Sequence, residues 1–307
     1  MTAFARFRKA SRSRVLPVML VPVLLGAAGA YAWEGTFHPL VLLITLIGAA
    51  SAHLFSNMIN DLWDYRSGVD TAARNTVGAI STNSGLLAKG EMPERTFAAL
   101  TWGLFALAAV CGIALALISG WEVLVFAVLG GLLAYFYVAP PLRFGYRGKG
   151  YSEIAILLSF GVLPVAGSYY AQTSHLDMRA LLISLPVGLL TTLVLFNHHF
   201  LHWQADRAAG KRTLVVVFGE ALALRFSVSL LLLALVSLVV AVAVGALPWY
   251  ALLGLLVGLP FIRLYRSFGV TNPSAAYLPL MGAAIKSVMR CGAVMIASLF
   301  VYGLLQL

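Results

Sequence analysis

Acidic residues are scarce in this chain, with 11 Asp and Glu against 21 Lys and Arg in 307 residues, and all charged side chains together make up only 10%. A soluble globular domain averages about 25%, so the composition excludes one. Cysteine is scarcer still. Cys111 and Cys291 both sit in apolar runs, which reads as helix packing and not as a disulfide framework. Low-complexity segments and extended linkers are absent. The histidines are too few and too dispersed for a membrane di-iron oxygenase. Outside His198, His199 and His202 the others, His38, His53 and His175, are scattered. No nucleotide P-loop is present either. Gly210-Lys211-Arg212-Thr213 has Ala205 where that motif opens with glycine, and Arg where Ser or Thr should follow the Lys.

What is abundant is apolar. Hydrophobic residues make up 61% and mean hydropathy is +0.92, the profile of a polytopic helical membrane protein. Candidate spans run over residues 15–33, 38–60, 96–118, 121–138, 153–171, 179–199, 224–245, 247–265 and 281–305. Each is near the ~20 residues that a bilayer crossing needs. The expected fold is all-α, a membrane helical bundle of about nine transmembrane helices forming one domain over residues 1–307. Arg6, Arg8, Lys9, Arg12 and Arg14, then an apolar run and Ala28-Gly-Ala30, imitate a secretory signal. The run from Val15 to Trp33 outlasts a signal-peptide core, so we read a retained first helix behind a basic tail, residues 1–14.

The net charge of +10 is not a nucleic-acid patch. Nearly all Lys and Arg lie in that tail and in the loops after the second, fourth, sixth and eighth spans. The opposite loops carry Glu34, Glu122, Asp177 and a single Arg179. This alternation is the positive-inside pattern. It predicts an integral protein of the plasma membrane with its N-terminus in the cytoplasm and its C-terminus outside. Every long polar loop then shares the cytoplasmic face.

At the end of the second span stands Asn57-Met-Ile-Asn60-Asp61-Leu-Trp-Asp64-Tyr-Arg-Ser-Gly68-Val-Asp70. On a helix Asn57, Asn60, Asp61 and Asp64 share one face, with His53 a turn earlier. An acidic cluster beside a membrane span is a functional-site hypothesis by default, and its alternative is a solvated helix end. Oxygen ligands at this spacing suit Mg²⁺ shared with a phosphate. A second polar stretch follows the sixth span, where His198, His202 and Asp206 are spaced for one helical stripe beside His199, with Lys211 and Arg212 beyond. Its alternative is a pair of interfacial histidines. The two stretches lie four spans apart, which hints at an internal repeat with a site between its copies. The loop Pro140-Pro141-Leu-Arg143-Phe-Gly-Tyr146-Arg147-Gly-Lys149-Gly is basic and turn-rich, with glycines that leave the backbone free to approach a ligand. Together with Arg74, these cations fit an anionic ligand.

Asn60-Asp61-Leu-Trp-Asp64 followed by Gly68-Val-Asp70 resembles the NDxxDxxxGxD signature of the UbiA superfamily of intramembrane prenyltransferases. Asp206-Arg-Ala-Ala-Gly-Lys211 is similar to the end of that family's second motif. Ser84-Gly85, Tyr137-Val-Ala-Pro140 and Ser168-Tyr-Tyr170 look most like its menaquinone branch. The resemblance implies transfer of a polyprenyl chain from a prenyl diphosphate to an aromatic acceptor, 1,4-dihydroxy-2-naphthoate, with loss of CO₂ and diphosphate and with Mg²⁺ as cofactor. It implies catalysis at Asp61, Asp64, His202 and Asp206. Metal is expected at Asn60, Asp64, Asp70 and Asp206, with Asp61 and Asp70 in support. Substrate contacts are expected from Asn57, Arg74, Arg143, Arg147, Lys149, His198, His199 and Lys211.

The chain departs from the family pattern in its second motif. His202 stands where the first aspartate belongs, Leu201 where a basic residue is usual, and His198-His199 where an asparagine pair is expected. Histidine is a poor Mg²⁺ ligand, so the first stretch should hold most of the metal. His202 is expected to contact diphosphate or to take the acceptor's phenolic proton. Two rival readings remain at this stage, a membrane terpene cyclase on the same fold and an ion-coupled transporter.

Overall fold

The computed structural model describes residues 2–68, 83–269 and 271–306, and these are all-helical. A short amphipathic helix α1, Ala3–Ala10, opens the chain, with the Thr2 hydroxyl capping it by accepting from the Ala5 N–H at 3.2 Å. A 3₁₀ turn at Ser13–Val15 leads into α2, Pro17–Glu34. Proline at the first position and Gly35 in the left-handed region (φ 65°) define its two ends. There follow α3, Pro39–Arg66, α4, Glu94–Ser119, and α5, Val123–Phe136. Then come α6, Tyr151–Thr173, α7, Met178–His199, and two short helices, α8 at Trp203–Ala208 and α9 at Leu214–Phe218. The chain closes with α10, Glu220–Ala243, α11, Leu259–Arg266, and α12, Leu278–Gln306.

Among the described residues, seven helices are long and apolar enough to cross a membrane: α2, α3, α4, α6, α7, α10 and α12. The other two expected spans take shorter forms. The segment expected over 121–138 is the 14-residue α5, and that over 247–265 is a 3₁₀ stretch, Trp249–Gly258, running into α11. Cys111 and Cys291 are both free and buried.

Helices α2 and α7 are the most enclosed, and α4 turns most of its surface outward. The main apolar core is built where α2, α7, α10 and α12 meet, around Leu25, Leu190, Leu238 and Val288. Helix crossings are close where side chains are small, as expected when lipid offers no hydrophobic incentive to associate. At Gly26 an added Cβ would lie 2.2 Å from the Val165 carbonyl oxygen of α6. At the α6–α7 crossing Gly161 and Gly188 face each other, and a Cβ on Gly161 would come within 2.7 Å of the Gly188 Cα.

Beside that crossing, residues Leu158–Val162 of α6 open into a π turn. Pro164 is the cause: it has no N–H for the Phe160 carbonyl, and its ring would crowd that oxygen in an α-helix. The widened turn brings Ser159 and Phe160 to the wall of the central cavity. Because backbone meets backbone at the crossing, Gly188→Ala is expected to destabilise the protein by about 1–3 kcal/mol, read as a lower thermal midpoint in detergent. A midpoint equal to wild type would show that the crossing yields freely.

Candidate functional site

Helix α3 has 28 residues, about 42 Å at 1.5 Å per residue against a hydrocarbon core of about 30 Å. Its last turns therefore project past the apolar layer, and these turns carry the polar stretch. Asn57, Asn60 and Asp64 line a cavity of about 1060 Å³. Asp64 is buried and accepts a hydrogen bond from the Tyr146 hydroxyl. Burial, then the neighbouring Asp64 carboxylate, pushes the Tyr146 phenol well above its ordinary range, so it stays a donor. Asn60 offers its side-chain oxygen to the same space, where it is buried and has no partner.

Across the cavity α7 ends at His199, and His202 leaves helical geometry (φ −145°, ψ 19°) before α8 begins. The stripe expected from His198 through His202 to Asp206 is thus broken in the backbone, yet its contacts survive. His202 Nδ1 is 2.8 Å from an Asp206 carboxylate oxygen, and its Nε2 is 3.4 Å from His198 Nδ1. Burial works to raise the Asp206 pKa, but Lys211 and the His202 hydrogen bond outweigh it and hold the carboxyl below its usual range. Lys211 is itself buried, and its ammonium lies 4.9 Å above the Tyr146 ring. His198, His199, His202, Asp206 and Lys211 all line the cavity.

The third wall is the N-terminal segment. Arg8, Lys9, Arg12 and Arg14 line the cavity mouth. Three contacts pin the segment there. Arg12 is paired with Asp61, the Asn57 amide donates to the Ser11 carbonyl at 3.0 Å, and Lys9 lies 3.2 Å from Glu91.

Away from this polar end the lining turns apolar. From Asp64 to Ala52 it follows α3 for about 18 Å. Leu133, Ala134, Ile156, Phe160, Leu195 and Ile285 form the deep part. One cavity therefore has a cationic rim, a band of oxygen and nitrogen ligands, and an apolar depth. Among the described residues no three of His, Cys, Asp and Glu are grouped to hold a metal unaided. The donor set does fit Mg²⁺, which needs only one or two carboxylates when a substrate phosphate completes its shell. Asn60, with its unpartnered oxygen, Asp64 and Asp206 are the residues that suit it.

Several expected site residues lie elsewhere. Asp61 stands about 100° round α3 from Asn60 and does not line the cavity. One of its oxygens takes Arg12 and the other accepts the Ser84 N–H at 2.8 Å, so both are turned to the protein's own groups. Arg143, Arg147 and Lys149 do not line the cavity either, and Arg147 and Lys149 are exposed. The glycine-rich loop approaches its own protein and not a ligand, since a Cβ on Gly145 would lie 2.7 Å from the Tyr137 ring. What the loop contributes is Tyr146. Asp70 and Arg74 fall outside the described residues. Arg12, Tyr137 and Tyr146 are site residues that the sequence reading did not single out. The cluster holding Arg12 reads equally well as an orientation signal.

These positions separate the cations by expected effect. Lys211→Gln should raise the KM for a phosphorylated substrate by roughly tenfold, about 1.4 kcal/mol of binding. Arg147→Gln and Lys149→Gln should each change it less than twofold. A larger effect from either exposed residue than from Lys211 would reverse the assignment.

Residues 19–285 match the UbiA prenyltransferase family. A 2-carboxy-1,4-naphthoquinone phytyltransferase of Synechocystis is 32% identical over 259 residues, 82% of this chain and 78% of that protein. A 1,4-dihydroxy-2-naphthoate octaprenyltransferase of Escherichia coli is 34% identical over 231 residues, 74% of this chain and 73% of that one. Among solved structures, a UbiA homolog from Archaeoglobus fulgidus bound to GPP and Mg²⁺ superposes with a TM-score of 0.66. It shares 16% identity over 94% of this chain and 99% of its own, a likeness of fold.

Proposed function

This chain belongs to the UbiA prenyltransferase family, and from that premise we propose that it transfers a polyprenyl group from prenyl diphosphate to 1,4-dihydroxy-2-naphthoate in menaquinone synthesis. It is an integral membrane prenyltransferase. The observation that carries the acceptor and site assignments is the single cavity in which Asn60 and Asp64 stand opposite Asp206 and Lys211, with an apolar depth behind them. An amphiphile with a diphosphate head and a hydrocarbon tail matches that division of polarity. The naphthoate acceptor is supported by the names of the two relatives.

Asn60, Asp64 and Asp206 would hold Mg²⁺, with Asp70 in support, and its presence there would supply charge neutralisation for the departing diphosphate. Lys211 donates to the leaving diphosphate oxygens. Tyr146 fixes the Asp64 carboxylate from the far side. His202, tied to Asp206 through Nδ1 and close to His198 through Nε2, lines the diphosphate end of the cavity. The deep apolar wall takes the prenyl tail without polar contacts. We place the cavity mouth on the cytoplasmic face of the plasma membrane, in accord with the basic tail and loops around it.

The test is direct. Protein in lipid nanodiscs receives geranylgeranyl diphosphate, Mg²⁺ and 1,4-dihydroxy-2-naphthoate. Prenylated naphthoquinol, diphosphate and CO₂ are expected, with activity abolished by EDTA and restored by Mg²⁺. Diphosphate release with a hydrocarbon or alcohol product and untouched acceptor would establish a terpene cyclase instead. No turnover of any prenyl diphosphate, by wild type and Asp64→Ala alike, would leave transport as the reading.

A further inference from the structure

Glu153 is an acid for which the steps above have no use. It lies in the first turn of α6 and is 5% exposed. One carboxylate oxygen accepts from the Ser152 hydroxyl at 2.8 Å, and the other, Oε1, is buried with no partner. Among the described residues it takes part in no ion pair. A carboxylate so placed in a membrane helix is costly, and a packing role would be met more cheaply by an apolar side chain. The amino end of α6 favours a negative charge there.

Ser152 connects Glu153 to the cavity. Ser152 lies beside Tyr137, and Tyr137 lines the cavity wall. Tyr137 shares the cavity wall with Asp64 and Asp206. Tyr137 and Ser152 therefore stand between the cavity and a buried, half-satisfied carboxylate.

We propose that Glu153, acting through Ser152 and Tyr137, borrows the acceptor's phenolic proton and returns it within the same turnover. This rests on the naphthoate reading of the previous section. When the allylic carbon bonds to the carboxyl-bearing ring carbon, the adjacent hydroxyl becomes a ketone and its O–H bond breaks. That proton passes to Tyr137 as the Tyr137 proton moves to Ser152 and the Ser152 proton to Glu153. The β-keto carboxylate then loses CO₂, its electron pair passes to the ketone oxygen, and the resulting enolate oxygen takes the proton back along the same path. The sum is one C–O bond broken, one C–C bond formed, one carboxyl lost as CO₂, and no net proton. A group shielded from water suits a loan of this kind, since the proton is not exchanged for one from bulk before it is needed.

Glu153→Gln is expected to lower kcat for naphthoate prenylation roughly 10²-fold, the usual worth of a proton-transfer group. The KM for geranylgeranyl diphosphate and the slow acceptor-independent release of diphosphate should both stay within twofold of wild type. Glu153→Asp should recover part of the lost kcat. Should Glu153→Gln fail to fold, Ser152→Ala removes the relay hydroxyl, and with it the bond to Glu153, and should show the same split. Wild-type kcat in either folded variant would overturn the relay. So would a loss that falls equally on KM, diphosphate release and kcat, since that is the mark of a merely structural role. Wild-type protein that releases diphosphate but never prenylates the naphthoate would overturn the parent reading, and is distinguished from both.

Discussion

Asp64→Asn loses roughly 10³-fold in kcat/KM for prenyl transfer, about 4 kcal/mol of transition-state stabilisation. The substitution keeps the shape of the side chain and an oxygen able to accept from the Tyr146 hydroxyl. What it removes is the charge facing the cavity. Stability should therefore change by no more than about 1 kcal/mol, which separates a chemical loss from a folding one. Asp206→Asn should fall by a similar factor. The double variant should be little worse than the poorer single one, because residues that act as a unit are non-additive. Rates are measured with geranylgeranyl diphosphate at saturating Mg²⁺ in nanodiscs. An Asp64→Asn enzyme within tenfold of wild type would remove Asp64 from the ligand set and leave Asn60 and Asp206 to account for the site.

The second large effect falls on stability. Arg12→Ala leaves Asp61 with its carboxylate buried, 3% exposed, and, among the described residues, with only the Ser84 N–H for company. Removing one partner of a buried pair costs about 3–5 kcal/mol because the remaining charge is uncompensated. The thermal midpoint should fall steeply and activity with it, as the basic rim loosens from the mouth. Asp61→Asn on the Arg12→Ala background should recover most of the loss, since an amide in that pocket needs no cation. A double-mutant cycle on midpoints reads the coupling. Additive losses at the two positions would show that the pair contributes nothing to the fold. Asp61→Asn alone should also retain far more activity than Asp64→Asn, which separates two acids only three residues apart.

That pair shows where sequence reading reaches its limit. The periodicity of α3 placed Asn57, Asn60 and Asp64 on one face, because a helix's own geometry fixes which of its residues are neighbours. The same periodicity grouped Asp61 with them. Whether a residue at the flank of a stripe meets the cavity or another segment depends on what packs there, and here it is Arg12, 49 residues away. Arg12 itself was legible only as one of five basic residues ahead of a span, a pattern that orientation explains without any site. Tyr146 was hidden for a different reason. A loop rich in Arg, Lys and Gly draws attention to its charges, yet Arg147 and Lys149 point outward while the phenol reaches Asp64. The second stripe was right in its contacts and wrong in its path, since α7 stops at His199 and the turn returns His202 to Asp206. The spans were legible from composition except for α5 and the 3₁₀ stretch before α11, whose helices are shorter or tighter than their apolar runs.

The partners of the three acids nearest the cavity mouth also bear on how the chain is made. Domains emerge N-terminal end first during synthesis, so each buried acid reaches the bilayer at a different time. Asp61 is preceded by its cation, Arg12, which has already left the ribosome. Asp206 carries its neighbour with it, since His202 is four residues earlier. Asp64 alone waits, through 82 further residues, for the Tyr146 hydroxyl. Until that loop arrives, Asp64 must stay at the aqueous end of α3, and the length of that helix keeps it there. Shortening α3 by a turn would strand a nascent, unpartnered acid in lipid before the rest of the enzyme existed to receive it.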